Sequence, residues 1–142
     1  MKSLNILLVE DNESDIILVK EALKGVEVVK SIIDLRNGKE AVSYLKKLPP
    51  YENATLPDLI LLDINMPIMD GLEALAQIKV DEKIKHIPVI ILTTSSRKED
   101  IFKAYSEHSN SYIIKPNDYT ELEKVAEVIR DYWQNTVKLP KD

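Results

Sequence analysis

Residues 57–71 read PDLILLDINMPIMDG, and their reading decides the fold. Positions 59–62 are an unbroken run of large aliphatic side chains, and Asp63 follows at once. A short apolar run bounded by turn residues describes a strand buried on both faces, the environment of a parallel sheet. Met66-Pro67 and Asp70-Gly71 supply the turn chemistry that ends it. A carboxylate therefore stands at the carboxyl end of a central strand, the edge where open α/β sheets bind ligands. An isolated Asp in that position more often caps the next helix. Its meaning depends on what the other strands end in.

Towards the N-terminus, residues 5–9 (NILLV) form a second apolar run that ends in Glu10-Asp11. Residues 12–25 have helical spacing: Asn12 or Ser14 can cap, Ile16, Val19 and Leu23 share a face, and Gly25 terminates. Positions 28–33 supply β-branched residues for another strand. Asn37-Gly38 signals a turn, and 39–48 a short helix with Val42, Leu45 and Leu48 inward, stopped by Pro49-Pro50. Residues 49–56 (PPYENATL) are the one long connection, polar enough for a surface loop. Towards the C-terminus come a helix over 71–80, a strand within 89–96 (VIILTTSS) that ends at Thr93, and a helix over 97–107. A strand over 111–114 (SYII) is closed by Lys115-Pro116. The longest helix, 119–136, carries Leu122, Ala126, Ile129 and Trp133 nearly in line. Five strands alternating with five helices predict an α/β fold: a doubly wound parallel sheet covered on both faces, with right-handed crossovers.

The whole chain, 1–142, suits one domain with a sizeable core. A formal charge of −5 argues against a nucleic-acid or membrane surface, which would need a basic patch. With no cysteine, disulfides, thiolate metal sites and thiol nucleophiles are excluded. His86 and His108 are too few for a zinc cage without thiolates, and read as ordinary surface or boundary residues. No apolar run is long enough to span a bilayer, and the start MKSLNILLVED meets acids too early for a signal peptide. The expectation is a soluble cytoplasmic protein, in which the sequon matches at Asn12 and Asn53 are chance.

The first, third, fourth and fifth strands end in Glu10-Asp11, Asp63, Thr93 and Lys115. Parallel alignment brings these ends to one edge, so three carboxylates, a hydroxyl and an ammonium converge. Unpaired carboxylates that crowd together repel and rise in pKa. A hard divalent cation resolves the conflict, and Mg²⁺ fits best because it needs few protein ligands and keeps waters. Singly, Lys115 reads as a surface charge and Thr93 as a satisfied strand hydroxyl. Jointly they read as a phosphoryl-transfer site.

With the motifs ILLVED (6–11), LILLDINMPIMDG (59–71), VIILTTSS (89–96) and YIIKP (112–116), the chain resembles a response-regulator receiver domain. The resemblance covers about 5–133 and leaves a short C-terminal tail. It implies the flavodoxin-like strand order 2-1-3-4-5, which sets Asp11 against Asp63. It implies that Asp63 takes a phosphoryl group from a phosphohistidine on a sensor histidine kinase. Asp11 would ligate Mg²⁺ directly, Glu10 through water, and Asn65 through its backbone carbonyl. Lys115 would pair with Asp63 and later with a phosphoryl oxygen, to which Thr93 would donate. Tyr112 would be the aromatic that changes rotamer when Thr93 moves, and the bond before Pro116 would be cis.

The long 49–56 loop and the long last helix resemble the small single-domain regulators beside cyanobacterial phytochromes, which implies a phytochrome-like kinase. Thr94 departs from the smaller residue common at its position; with Asn65 it flanks the path of an attacking water, and slow dephosphorylation is expected. Val128 and Tyr132 flank the apolar stripe of the last helix. The face of helix 97–107, strand 111–114 and helix 119–136 is the expected output surface and homodimer interface. A haloacid-dehalogenase-type phosphatase would share the Asp, Thr, Lys and Mg²⁺. That family, however, carries its nucleophile on the first strand and a general acid two residues on, where this chain has Asn65. A receiver that no longer takes phosphate, and only binds partners, is the other alternative; the complete set of site residues argues against it.

Overall fold

The computed structural model describes residues 3–136 and 138–141. In chain order the elements are β1 (Leu4–Val9), α1 (Glu13–Lys24), β2 (Val29–Leu35), α2 (Gly38–Leu45), β3 (Leu59–Leu62) and α3 (Gly71–Val80), then β4 (Val89–Thr93), α4 (Lys98–Ser106), β5 (Ser111–Ile114) and α5 (Tyr119–Arg130). The five strands form one parallel sheet in the order β2-β1-β3-β4-β5. This is the flavodoxin-like order that the resemblance implied.

Strand alternation divides the apolar residues between two cores. Leu4, Ile6 and Leu8 of β1, Leu59 and Leu61 of β3, and Ile90 and Leu92 of β4 face α1 and α5. Their neighbours Leu7, Val9, Ile60, Leu62, Val89 and Ile91 face α2, α3 and α4. Every residue of β3 and β4 is buried, as an unbroken apolar run requires when both faces of a strand are covered.

Two helix ends differ from expectation for one backbone reason. Lys47 takes a positive φ of 55°. Its N–H donates to Tyr44 O at 3.1 Å, and the Leu48 N–H donates to Ser43 O at 2.9 Å. This Schellman arrangement ends α2 ahead of the two prolines, so Leu48 points outward, 48% exposed, and is not a core residue. His108, with φ of 68°, ends α4 likewise through His108 N–H to Tyr105 O and Ser109 N–H to Ala104 O, both at 3.0 Å. The loop over 49–56 also does more than cross the surface. Tyr51, Ala54 and Leu56 pack on the second core, and the Tyr44 hydroxyl donates to Thr55 O at 3.1 Å. Among the described residues the cis peptide joins Pro49 to Pro50; the bond before Pro116 is not cis, contrary to expectation.

The last helix widens after α5 into a π-helical turn, Asp131–Thr136. Trp133 there is buried in the first core, and so is Leu139 beyond it. Lys141 Nζ donates to Ser3 O at 2.6 Å and to Asp58 Oδ2 at 2.9 Å. The core therefore extends past residue 133 into the tail.

Candidate functional site

Register assembles the site at the carboxyl edge of the sheet. Val9 pairs with Leu62, so Glu10-Asp11 and Asp63 leave adjacent strands at the same level. The Asp63 N–H donates to Val9 O at 3.0 Å, and the Lys115 N–H to Thr93 O at 2.6 Å, which fixes the two strand ends on each side. Gly71 completes the frame. A Cβ on it would lie 1.9 Å from the Asp63 carbonyl oxygen, so only glycine lets α3 begin against the strand end. The Gly71 N–H donates to Ile64 O at 2.8 Å and holds the 64–71 loop over the site.

Glu10, Asp63, Thr93 and Lys115 are 2%, 8%, 0% and 7% exposed. Burying four such groups together is unfavourable unless they satisfy one another. Asp63 Oδ1 accepts the Ile64 N–H at 2.8 Å, and Thr93 Oγ1 accepts the Ser95 N–H at 3.4 Å. The Lys115 ammonium donates to Glu10 and, at 2.9 Å, to Asp15 Oδ2. Among the described residues it makes no ion pair with Asp63, which corrects the expected pairing. The physical reason is Glu10: a carboxylate this buried needs a counter-ion in contact, and Lys115 is the ammonium within reach. Burial pushes the Glu10 carboxyl up to about 7, with the Asp63 charge adding to it, although the Lys115 ammonium pulls the other way. For Lys115 burial disfavours the ammonium, but its bonds to Glu10 and Asp15 outweigh that and hold it charged.

Ligand oxygens of Glu10, Asp11 and Asp63 all lie within 4.8 Å of one another, with Asp11 exposed and the other two buried. Three carboxylates without nitrogen or sulfur donors form a hard set that fits Mg²⁺ or Mn²⁺. Asn65 and Thr94, expected beside the phosphoryl path, are both exposed and follow Asp63 and Thr93 closely in the chain. The Tyr112 hydroxyl donates to Ser95 O at 2.8 Å, and Ser95 Oγ donates to Asp100 Oδ2 at 2.6 Å in the first turn of α4. Asp15 and Ser95 are site residues that the sequence reading missed. Asp15 was legible only through the cap: Asn12 Oδ1 accepts the Asp15 N–H at 3.0 Å, which sets Asp15 on the turn over Glu10. Fixing the cap at Asn12, and not at Asn12 or Ser14, would have pointed to it.

A doubly wound sheet with an acidic triad, a threonine and a lysine at its carboxyl edge defines the receiver class of two-component signalling. A family model for the response regulator receiver domain matches residues 6–127, and the chain belongs to that family. It is 43% identical over 135 residues to response regulator Rcp1 of Synechocystis sp., covering 95% of this chain and 92% of that protein. It is equally 43% identical, over 128 residues, to a probable methanogenesis regulatory protein, FilR2, of Methanothrix harundinacea (90% of this chain, 82% of that one). Among solved structures, the phosphorylated cyanobacterial phytochrome response regulator RcpA superposes with a TM-score of 0.92 at 44% identity, over 97% of this chain and 99% of that one. The Mn²⁺-bound form of Rcp1 superposes with a TM-score of 0.90 at 42% identity, over 96% and 99%.

Proposed function

We propose that this chain is the phosphoacceptor of a two-component relay, in which Asp63 takes the phosphoryl group of a phosphohistidine on a sensor histidine kinase. The observation that carries the reading is the burial of Asp63 in one cluster with the Glu10 and Asp11 carboxylates, at the sheet edge where the buried Thr93 and Lys115 also stand. Asp63 Oδ1 is held by the Ile64 N–H, which leaves Oδ2 as the nucleophile. Its bond to phosphorus forms as the phosphorus–nitrogen bond breaks, and the electron pair leaves with the imidazole. Glu10, Asp11, Asp63 and the Asn65 carbonyl would hold Mg²⁺. When bound, that ion neutralises the carboxylates and the phosphoryl oxygens. Thr93 donates a hydroxyl hydrogen bond to a phosphoryl oxygen and Lys115 brings its ammonium to another, where charge accumulates in the transition state.

Ser95 links this event to the surface. Its backbone N–H contacts Thr93, its carbonyl holds Tyr112 and its hydroxyl holds Asp100 of α4. A Thr93 that moves to the phosphoryl group pulls on Ser95, frees space for the Tyr112 ring and shifts α4 against β5. The chain catalyses only its own phosphorylation and dephosphorylation, works in the cytoplasm, and signals through the α4, β5 and α5 face, on which it forms a homodimer. The similarity to a phytochrome response regulator supports a phytochrome-like kinase. The equal identity to a methanogen regulator makes a phosphotransfer profile against candidate kinases the test of that partner. The phosphoacceptor itself is tested with acetyl phosphate and Mg²⁺, read by intact mass. The wild type should gain one phosphoryl group and Asp63→Ala none; no adduct on the wild type favours the receiver that only binds partners.

A further inference from the structure

The Lys115 ammonium has two carboxylate partners, and only one of them belongs to the acidic triad. The other, Asp15, comes from the first turn of α1. Asn12 caps that helix through the Asp15 N–H, and helical side chains lean back towards the N-terminus, so the Asp15 carboxylate is aimed at the strand ends. It reaches Lys115 at 2.9 Å with its own side chain 30% exposed, whereas the Lys115 side chain is 5% exposed. The Lys115 backbone is tied to Thr93, so the ammonium can change partners only by side-chain rotation.

We propose that Asp15 is a positioning residue that holds Lys115 on the α1 side of the pocket and thereby restrains phosphorylation of Asp63. The inference rests on the phosphoacceptor reading given above. An ammonium that serves a phosphoryl oxygen on Asp63 must release or share Asp15, and the strength of that contact is subtracted from its hold on the phosphoryl group. Glu10 does not act in the same way, because it lies inside the triad and stays beside Asp63 throughout. Asp15 sits outside, at the rim, where its charge can be removed without touching the nucleophile or the metal ligands.

The test compares Asp15→Asn with the wild type, each in the Lys115 and the Lys115→Ala backgrounds. The rate of phosphorylation by acetyl phosphate with Mg²⁺ is measured first. Asp15→Asn should be faster by about three- to tenfold, the range of one partly exposed charge-assisted hydrogen bond. Affinity for beryllofluoride, measured by calorimetry with Mg²⁺, needs no turnover and covers all four proteins. Asp15→Asn should tighten it by a similar factor when Lys115 is present and leave it unchanged in Lys115→Ala. The same gain in both backgrounds would mean a general relief of negative charge, and would overturn a role exerted through Lys115. A wild type that forms an adduct while Asp15→Asn is no faster overturns this inference alone. A wild type that forms no adduct overturns the phosphoacceptor reading and this inference with it.

Discussion

Thr94 follows the fully buried Thr93 and is itself exposed, as is Asn65. Neither side chain is a general base, so a water that attacks a phosphoryl group on Asp63 would have to do so without proton abstraction. If Thr94 occupies that approach, Thr94→Ala should shorten the lifetime of the adduct severalfold. Adduct decay followed by mass after removal of acetyl phosphate checks this; an unchanged or longer lifetime counts against the steric account. At the far side of β2, Asp34 accepts from Lys20 and Arg36, and Arg36 also meets Glu13 at 2.6 Å. The Lys20 hydrogen bond holds the Asp34 carboxyl below its ordinary value of 3.8. A depressed carboxyl stabilises the fold above that ordinary value, and the contribution is lost as pH falls through the folded one. Lys20 and Arg36 are 40% and 45% exposed, so solvent screening limits the contribution to about 1 kcal/mol or less. Urea unfolding should find Asp34→Asn less stable than wild type at neutral pH, with the difference shrinking in acid. The strand-end residues of the site were legible because parallel register does the assembling. Which carboxylates Lys115 chose was not, since that depends on burial and on the reach of a helix-borne Asp15 from another element.

At the scale of elements, sequence and structure agree residue for residue in β3, β4 and β5, and in the first two the reason is burial. Continuous burial on both faces leaves an apolar run of one length and one reading. The 71–80 helix is also matched, because Asp70 caps it through the Glu73 N–H and no other start is available. Helix α2 escaped the pattern because a lysine, not glycine or proline, adopted the left-handed cap. The tail escaped it because one buried leucine has no periodicity to reveal it. Leu139 is 4% exposed, in the core of α1, α5 and Trp133, while Lys141 ties the segment to Ser3 and Asp58 across the sheet. Leu139→Ala should destabilise the protein by about 2 kcal/mol, the lower end for such truncations because a terminal segment relaxes readily. The urea midpoint should fall with little change in slope. A variant as stable as the wild type would mean that the tail does not contribute to the core in solution.

At the scale of the whole molecule, exposed apolar side chains gather on the elements at the β5 edge of the sheet. Phe102 and Tyr105 of α4, Ile114 of β5, Val128 of α5 and Tyr132 of the π turn are 76%, 49%, 49%, 63% and 49% exposed. Single exposed apolar side chains are ordinary. Five on adjoining elements along one edge make a surface of the kind that marks an interaction site. Between β5 and the last helix lies a cavity of about 350 Å³, lined by Ile113, Val128, Tyr132 and Trp133 among others, which a side chain of a second copy could enter. The same edge carries Tyr112, whose hydroxyl is held through Ser95 to Thr93, the proposed phosphoryl contact. On the proposed function, a phosphorylation-dependent shift of Thr93 would act on the face that two copies would share. A two-state element of this kind couples the sites by a few kcal/mol at most, so phosphorylation should tighten an existing equilibrium and not create one. Sedimentation with and without beryllofluoride should show a larger dimer fraction with the mimic, and Tyr132→Ala should weaken the dimer in both states. A monomer under every condition would leave the homodimer without support and turn the α4, β5 and α5 face towards a different protein. Dimers equally strong with and without the mimic would separate assembly from the Thr93 and Tyr112 relay.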